Sequence, residues 1–314
     1  MSERPAMVPV DEEGGAGPTL ISLAEHRRVL ASGEDVPQQR PSVPLPLDEV
    51  GICNKTVWVR LDGATVPMKA AISVNLPGGR RGIHMSRMEE AISHLHREPF
   101  ESLPAYGAAL ARHIVTGQEG SRCLVELCGE IPLFRNTRVS ERSSLDSIGV
   151  DCRVDARLDG QEPVLDSLCL GVSVHHITAC PCTQAYNREL AGEREGMPMP
   201  THSQRSTTRL ALTTQAEEVA VVDLHRCLAE ALHLTSDLLK RPDEAEIVMS
   251  SHRRPQFAED CVREVASSVW RSFAADLPGS TGVEIESLSL ESIHIHDVRC
   301  RISTTLAAIG ECLG

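Results

Sequence analysis

The sequence predicts an α+β protein: an antiparallel sheet with helices on one face, laid down twice along one chain. Three observations carry this. Runs of alternating apolar and polar residues, the period of a half-buried strand, recur through residues 50–314. Between them lie segments whose apolar residues recur at three- and four-residue steps, the period of an amphipathic helix. The order strand, strand, helix, helix, strand, strand occurs in each half, without an obvious sequence repeat. A sheet covered on one face needs a partner for the other, either the second half or another subunit.

Residues 1–46 are rich in Gly and Pro, with Pro37, Pro41, Pro44 and Pro46 closing the segment, and read as a flexible tail with one short helix at 20–30. The first module is expected over 47–150. Residues 57–61 and 70–76 read as strands, the second ending at Pro77-Gly78-Gly79. Ser86 starts a helix with Glu89 and Glu90 in its first turns and Met88, Ala91, Ile92 and Leu95 on its apolar face. A second helix covers 104–115, and 122–130 is a strand. The second module is expected over 151–314. Residues 151–158 and 168–178 read as strands, 205–214 as the strand after a polar loop, and 222–240 as a helix with Leu224, Leu228, Ala231 and Leu238 on one side. Arg241-Pro242-Asp243-Glu244 should stop that helix; 255–275 forms another, and 283–296 with 298–306 a closing strand pair.

Bulk properties narrow the function. The 314-residue chain is 41% hydrophobic and 24% charged, ordinary for a soluble globular protein. Aromatics are 3%, so Leu, Val, Ile and Ala must build the core. A net charge of −13 argues against general nucleic-acid binding, which needs a basic field. There is no apolar run long enough for a membrane span and no secretory pattern at the N-terminus. Eleven scattered cysteines suit reduced thiols in the cytoplasm.

The chemistry concentrates in a few segments. Cys180-Pro181-Cys182 ends a strand-like run, and His202 opens the next one after a Gly- and Pro-containing loop. Thiolate plus imidazole is a ligand set that zinc or iron prefers, although buried inert thiols fit the spacing equally well. In ESIHIHD (291–297), His294 and His296 would share one face of a strand, suited to metal ligation or proton transfer. In LLKRPDE (238–244), Lys240 and Arg241 are explained by a helix C-terminus, while Glu244 could give an oxygen ligand. GIHMSR (82–87) lies at a helix start, a natural place for an anion, or an ordinary cap.

Taken in order, GIHMSR, CPC (180–182), HSQRS (202–206), LLKRPDE, PQFAEDCVREVA (255–266) and ESIHIHD resemble the GTP cyclohydrolases of type IB, with features of their archaeal-type branch. The resemblance covers the chain from about residue 50 to the end. It implies the tunnel fold: two tandem ββαα-type modules per subunit, a barrel completed by oligomerisation, typically a homotetramer, and active sites at subunit interfaces. It implies opening of the guanine imidazole ring of GTP, release of formate, and 7,8-dihydroneopterin triphosphate as product. Cys180, His202 and Glu244 match the family's ligands for one divalent metal per site, zinc, manganese or ferrous iron. His294 and His296 would act beside it with Cys180. Glu259 would accept from guanine N1–H and the 2-amino group, and Arg205, Lys240 and Arg241, with Arg87 weaker, would hold the triphosphate. The segment between Cys182 and His202 is longer than in the common bacterial members, and its end, Pro200-Thr201-His202-Ser203-Gln204-Arg205, is similar to the archaeal-type branch, which forms a 2′,3′-cyclic phosphate and favours ferrous iron. A metal-binding structural protein and a thiol redox protein are the alternatives of other classes.

Overall fold

The computed structural model describes residues 20–61, 63–118, 120–192, 196–215 and 219–314. A short helix α1 (Leu23–Ser32) precedes the sheet and buries none of its residues. The first half then runs β1 (Leu47–Leu61), β2 (Ala64–Leu76), α2 (Met85–Leu95), a two-residue β3 (Pro99–Phe100), α3 (Leu103–Gly117), β4 (Arg122–Asn136) and β5 (Ser143–Asp159). The second half runs β6 (Glu162–Ala179), α4 (Pro181–Ala191), β7 (Ser203–Thr214), α5 (Val221–Ala231), a two-residue β8 (His233–Leu234), α6 (Arg241–Arg253), α7 (Ala258–Phe273), β9 (Gly282–Ser289), β10 (Val298–Thr305) and α8 (Leu306–Leu313).

The strands form one sheet in the order β10-β9-β7-β6-β5-β4-β2-β1-β3, with β8 paired to β6. The β1–β3 pair is parallel, so the sheet is mixed. β5 and β6 form a hairpin whose turn is Gly160-Gln161, with Asp159 paired to Glu162. Gly160 has φ +66°, a left-handed conformation that glycine adopts without a Cβ clash. This hairpin joins the two halves without a seam, and the boundary expected at 150/151 falls inside β5. The expected tunnel fold of two tandem ββαα-type modules is therefore corrected. The sheet is one continuous ten-stranded surface within a single chain, because two strands of 17 and 18 residues are zipped together across the supposed boundary.

Each long strand buries alternate residues, and those buried sets face the helices. α3 packs on β4, β5 and β6, while α5 and α7 cover β6, β7 and β9. Tyr106, Leu110, Leu127, Leu170, Leu210 and Val265 are among the fully buried side chains of this layer. The opposite face carries cross-strand ion pairs, including Arg153–Glu126, Arg209–Asp151 and Arg299–Glu286.

Several local expectations change. Residues 1–19 of the expected tail lie outside the described residues. The segment after α1 is tied down: Arg81 and Gly82 both donate their backbone N–H to the Pro37 carbonyl. The helix expected over 222–240 ends at Ala231, and Pro242 begins α6 rather than stopping a helix. Proline is well tolerated in a first turn, where its missing N–H has no intrahelical partner to lose. The polar loop expected after Cys182 contains α4, with Pro181 in its first turn. The strand expected to reach His296 stops at Ser289, so His294 and His296 lie in a loop.

Candidate active site

Four neighbouring strands change character at the same end of the sheet. Along β6 the helix-facing positions read Leu168, Leu170, Val172, Val174, then His176 and Thr178, with Cys180 just beyond the strand. β7 runs antiparallel and reads Leu212, Leu210, then Thr208, Ser206, Gln204 and, just before the strand, His202. β9 reads Val283, Ile285, then Ser287, Ser289, with Glu291 beyond. β5 contributes buried Ser144 and Asp146 at that end, before Ile148 and Val150. Apolar core gives way to a buried polar file wherever the strands reach this rim.

Burying hydroxyls and an imidazole is costly unless each finds a partner. Here they partner one another. His176 Nε2 and Thr208 Oγ1 are 2.8 Å apart, Thr208 Oγ1 donates to Ser287 Oγ at 2.9 Å, and Thr178 and Ser206 hydroxyls lie 3.1 Å apart. Because Thr208 spends its proton on Ser287, it accepts from His176 Nε2–H. That leaves His176 Nδ1, which is buried and has no hydrogen-bond partner among the described residues. Burial pushes the His176 imidazole down to about 4, with His233 and His175 adding to the same direction, so it stays neutral.

At the rim, Cys180 N–H donates to the His202 carbonyl at 3.0 Å, which holds the two residues side by side. The Thr201 hydroxyl donates to the Cys180 carbonyl at 2.7 Å, and the Thr183 hydroxyl lies 3.8 Å from Cys180 Sγ. The Cys180 thiol is half-buried at the start of α4, whereas Cys182 is exposed. His202 Nδ1 lies 3.1 Å from Gln204 Oε1. Gln184 of α4 donates to the Met199 and His252 carbonyls, and so ties α4 to the end of α6.

The other expected residues stand apart. Glu244 is exposed in the first turn of α6, while His252 near its far end lies against the Thr201 carbonyl. His252 lies eight residue steps along the helix from Glu244, about 12 Å of rise. Among the described residues, no group of three or more His, Cys, Asp or Glu is placed to hold a metal ion. His294 and His296 are exposed in the loop after β9, their rings stacked with centroids 5.2 Å apart. Glu259 is exposed on the first turn of α7, near Cys300 of β10. Arg205, on the open face of β7, lines a cavity of about 260 Å³ with Arg135, Asp146, His175 and His225. Lys240 and Arg241 are exposed at the start of α6, and Arg87 donates to the Gly117 carbonyl.

Three residues of this region were not singled out from sequence for the roles the structure gives them. Asp243, buried beside Glu244, accepts from the Val139 and Ser140 backbones, the Ser140 hydroxyl and Lys240 N–H, and so pins the β4–β5 turn to the start of α6. The Ser140 hydroxyl and these N–H groups hold its carboxyl well below the usual carboxylate range. Gln204 and Ser289 link His202 to Glu291. The signal for Gln204 was present: in HSQRSTTRLAL the even positions read His, Gln, Ser, Thr, Leu, Leu, a strand whose covered face turns polar.

Comparison with known proteins follows the same lines. Among solved structures, urate oxidase from Bacillus sp. TB-90 superposes with a TM-score of 0.50 at 8% identity, over 82% of this chain and 100% of that one. A hyperthermostable mutant of that urate oxidase gives 0.50 at 9% identity, over 82% and 99%. The likeness is one of fold alone, and the tunnel-fold expectation gives way to a urate oxidase-like description. Among curated proteins, GTP cyclohydrolase MptA of Methanoregula boonei is 30% identical over 302 residues, covering 88% of this chain and 92% of the relative. GTP cyclohydrolase MptA of Thermoplasma volcanium is 30% identical over 278 residues, covering 84% and 92%. The family model described as type I GTP cyclohydrolase folE2 matches residues 34–300, and the chain belongs to that family of GTP cyclohydrolase enzymes.

Proposed function

We propose that the chain hydrolyses GTP at C8 of the guanine ring, releases formate, and forms 7,8-dihydroneopterin triphosphate. The observation that carries this reading is the polar rim of β6, β7 and β9, where Cys180 N–H is bonded to the His202 carbonyl and the His202 ring meets a hydrogen-bonded chain of Gln204, Ser289 and Glu291. A thiol and an imidazole are donors that suit zinc, manganese or ferrous iron to different degrees, and so Cys180 and His202 fit a divalent metal. Such an ion, when bound, lowers the pKa of a bound water from about 16 towards about 7. Glu244 is the carboxylate proposed for the third position. Since one chain does not group it with Cys180 and His202, this reading has it supplied across a contact between copies in a homotetramer.

The remaining roles belong to side chains with room to move. The exposed His294–His296 pair is proposed to donate a proton to N7 as C8 is attacked, a contribution of about 10²- to 10⁴-fold. Glu259, acceptor-only when ionised, suits the adjacent N1–H and 2-amino donors of guanine and not the edge of adenine. Arg205, Lys240 and Arg241 are proposed for the triphosphate, with fork-like guanidinium donors suited to phosphate oxygens.

A second reading is favoured by the archaeal relatives named GTP cyclohydrolase MptA: the product is the 2′,3′-cyclic phosphate. One experiment tests both. Purified full chain is incubated anaerobically with GTP and, in parallel, zinc, manganese or ferrous iron, and product mass and formate are measured. The triphosphate mass supports the first reading and the cyclic phosphate the second. GTP unchanged under every metal sinks both. Cys180→Ala should lower turnover by at least 10³-fold and keep the folded far-UV spectrum, while Cys182→Ser should leave most of the activity.

A further inference from the structure

We propose that Gln204 and Glu291 form a positioning relay that decides which ring nitrogen of His202 is left bare. The proposal rests on the reading of His202 as a functional ligand, and deepens it.

Gln204 lies between two groups of opposite demand. Its Oε1 is 3.1 Å from His202 Nδ1. Its Nε2 donates to Glu291 Oε1 at 3.2 Å and to Ser289 Oγ at 3.3 Å. Ser289 in turn donates its hydroxyl proton to Glu291 Oε1 at 3.1 Å. An ionised carboxylate only accepts, so the end of the amide that faces Glu291 must be the NH₂ end. Reversing the amide would set its oxygen against the carboxylate oxygen and its NH₂ against the ring. The carboxylate therefore fixes the amide. The amide oxygen, which also only accepts, then fixes the ring: Nδ1 must carry the hydrogen. Nε2 is left with a free lone pair, the form of imidazole that binds a metal or takes a proton.

The backbone makes the relay rigid. Ser206 of β7 pairs with Ser289 of β9, and Leu290 N–H donates to the Arg205 carbonyl at 3.0 Å. These bonds keep residue 291 opposite residue 204 after β9 has ended. Ser289 is buried, and His202, Gln204 and Glu291 are half-buried, so water has limited access to take over any one link. Gln204 touches neither substrate nor any reacting atom in this scheme; it acts through His202.

The test reads the tautomer directly. The full chain is labelled with ¹⁵N-histidine, and His202 is identified as the signal lost in His202→Asn. In the wild type its nitrogens should show a protonated Nδ1 and a bare Nε2. Gln204→Met and Glu291→Gln should each shift this pattern towards a mixture of the two tautomers. Affinity for Zn²⁺ alone should fall by about 10- to 100-fold in each, the usual effect of removing a partner behind a ligating histidine. The double variant Gln204→Glu with Glu291→Gln reverses the polarity of the second link. The carboxylate at position 204 then accepts from both the ring and the amide at position 291, so the Nδ1–H form and the Zn²⁺ affinity should return. An unchanged His202 pattern in both single variants overturns the relay, as does a double variant that stays mixed. These spectra need no turnover. A protein that fails to consume GTP while its His202 tautomer responds as described would sink the functional reading and leave the relay standing.

Discussion

Two ends of the same strands teach different lessons. At one end of β5, β6, β7 and β9 the helix-facing residues are Val154, Leu170, Leu210 and Val283, each fully buried and apolar. At the other end, within the same strands and under the same helix layer, stand Asp146, His176, Thr208 and Ser287, also buried. β2 and β4 show no such change over their covered stretches, from Val66 to Val74 and from Cys123 to Leu127. Apolar burial contributes wherever it occurs, at about 25 cal/mol for each Å² removed from water. Hydroxyls and imidazoles return little net stability even when fully paired, about 1 kcal/mol per hydrogen bond. A strand that exchanges leucines for threonine and serine at its rim thus gives up stability there, and what it holds in return is a fixed array of donors and acceptors around Cys180 and His202.

The sharpest way to break this comparison is a pair of substitutions two residues apart on one strand. Leu210→Ala removes a fully buried side chain and should cost about 3–5 kcal/mol. Thr208→Val keeps the volume but removes the hydroxyl between His176 and Ser287, and should cost about 1–3 kcal/mol. Urea unfolding of both variants, with equal slopes, gives the two numbers. If Thr208→Val proves the costlier, the polar rim is a main stabilising element and the contrast drawn above is wrong.

A second test uses pH. His176 is neutral when folded because burial pushes its imidazole to about 4, against about 6.5 when unfolded. A folded value below the unfolded one means that the unfolded chain binds the extra proton. Stability from this group is therefore complete above about pH 6.5, falls as the pH drops through the window from about 6.5 to 4, and levels below it. The full loss is about 3 kcal/mol, at 1.36 kcal/mol for each pH unit of that window. Comparing ΔG of unfolding at pH 7 and pH 4.5 for wild type and His176→Gln checks it. A wild-type slope that survives unchanged in the variant would assign the effect to other groups.

How much of this was legible beforehand depends on where tertiary contacts decide. Strong periodicity exposed β2, α2, α3 and α7, because one face of each is continuously apolar, as with Met88, Ala91, Ile92 and Leu95 of α2. The segment 232–253 was misread because Leu232 and Leu234 extend the pattern of α5, although the chain there turns back to pair with β6, and because Pro242 stands in the first turn of α6. The ESIHIHD stretch alternates like a strand, yet beyond Ser289 the ladder with β7 keeps only the bond from Leu290 N–H to the Arg205 carbonyl before the chain leaves the sheet, and Ile293 and Ile295 stay exposed. For the site, Cys180 and His202 were readable from their place at two strand ends. Glu244, the carboxylate expected with them, is not grouped with them among the described residues, since no local pattern fixes how the start of α6 sits against the ends of β6 and β7. Gln204 could have been read from the alternation of β7; its partnership with Glu291 needed the pairing of β7 with β9.

The smallest expected effect lies on the open face, where the contrast with the covered face can be sharpened at a single atom. Asp151 of β5 and Arg209 of β7 are bonded across the intervening β6, with Arg209 donating through Nε and Nη2. The pair crosses over Gly171, where an added Cβ would lie 2.5 Å from Asp151 Oδ1 and 2.6 Å from Oδ2. Glycine is required there because a salt bridge occupies the place of its side chain, and not because of its backbone angles. Both partners keep about a third of their side-chain surface in water, 33% and 30%, so the bridge itself contributes about 0–1 kcal/mol. Gly171→Ala should therefore cost about 1–2 kcal/mol, mostly from displacing the carboxylate against its neighbours. In an Asp151→Ala background the obstructing oxygens are gone, and the same substitution should cost less than half as much, a coupling that thermal unfolding of the four proteins of the cycle measures. Equal costs in both backgrounds would mean that strand packing around Gly171, and not the bridge above it, sets the requirement for glycine.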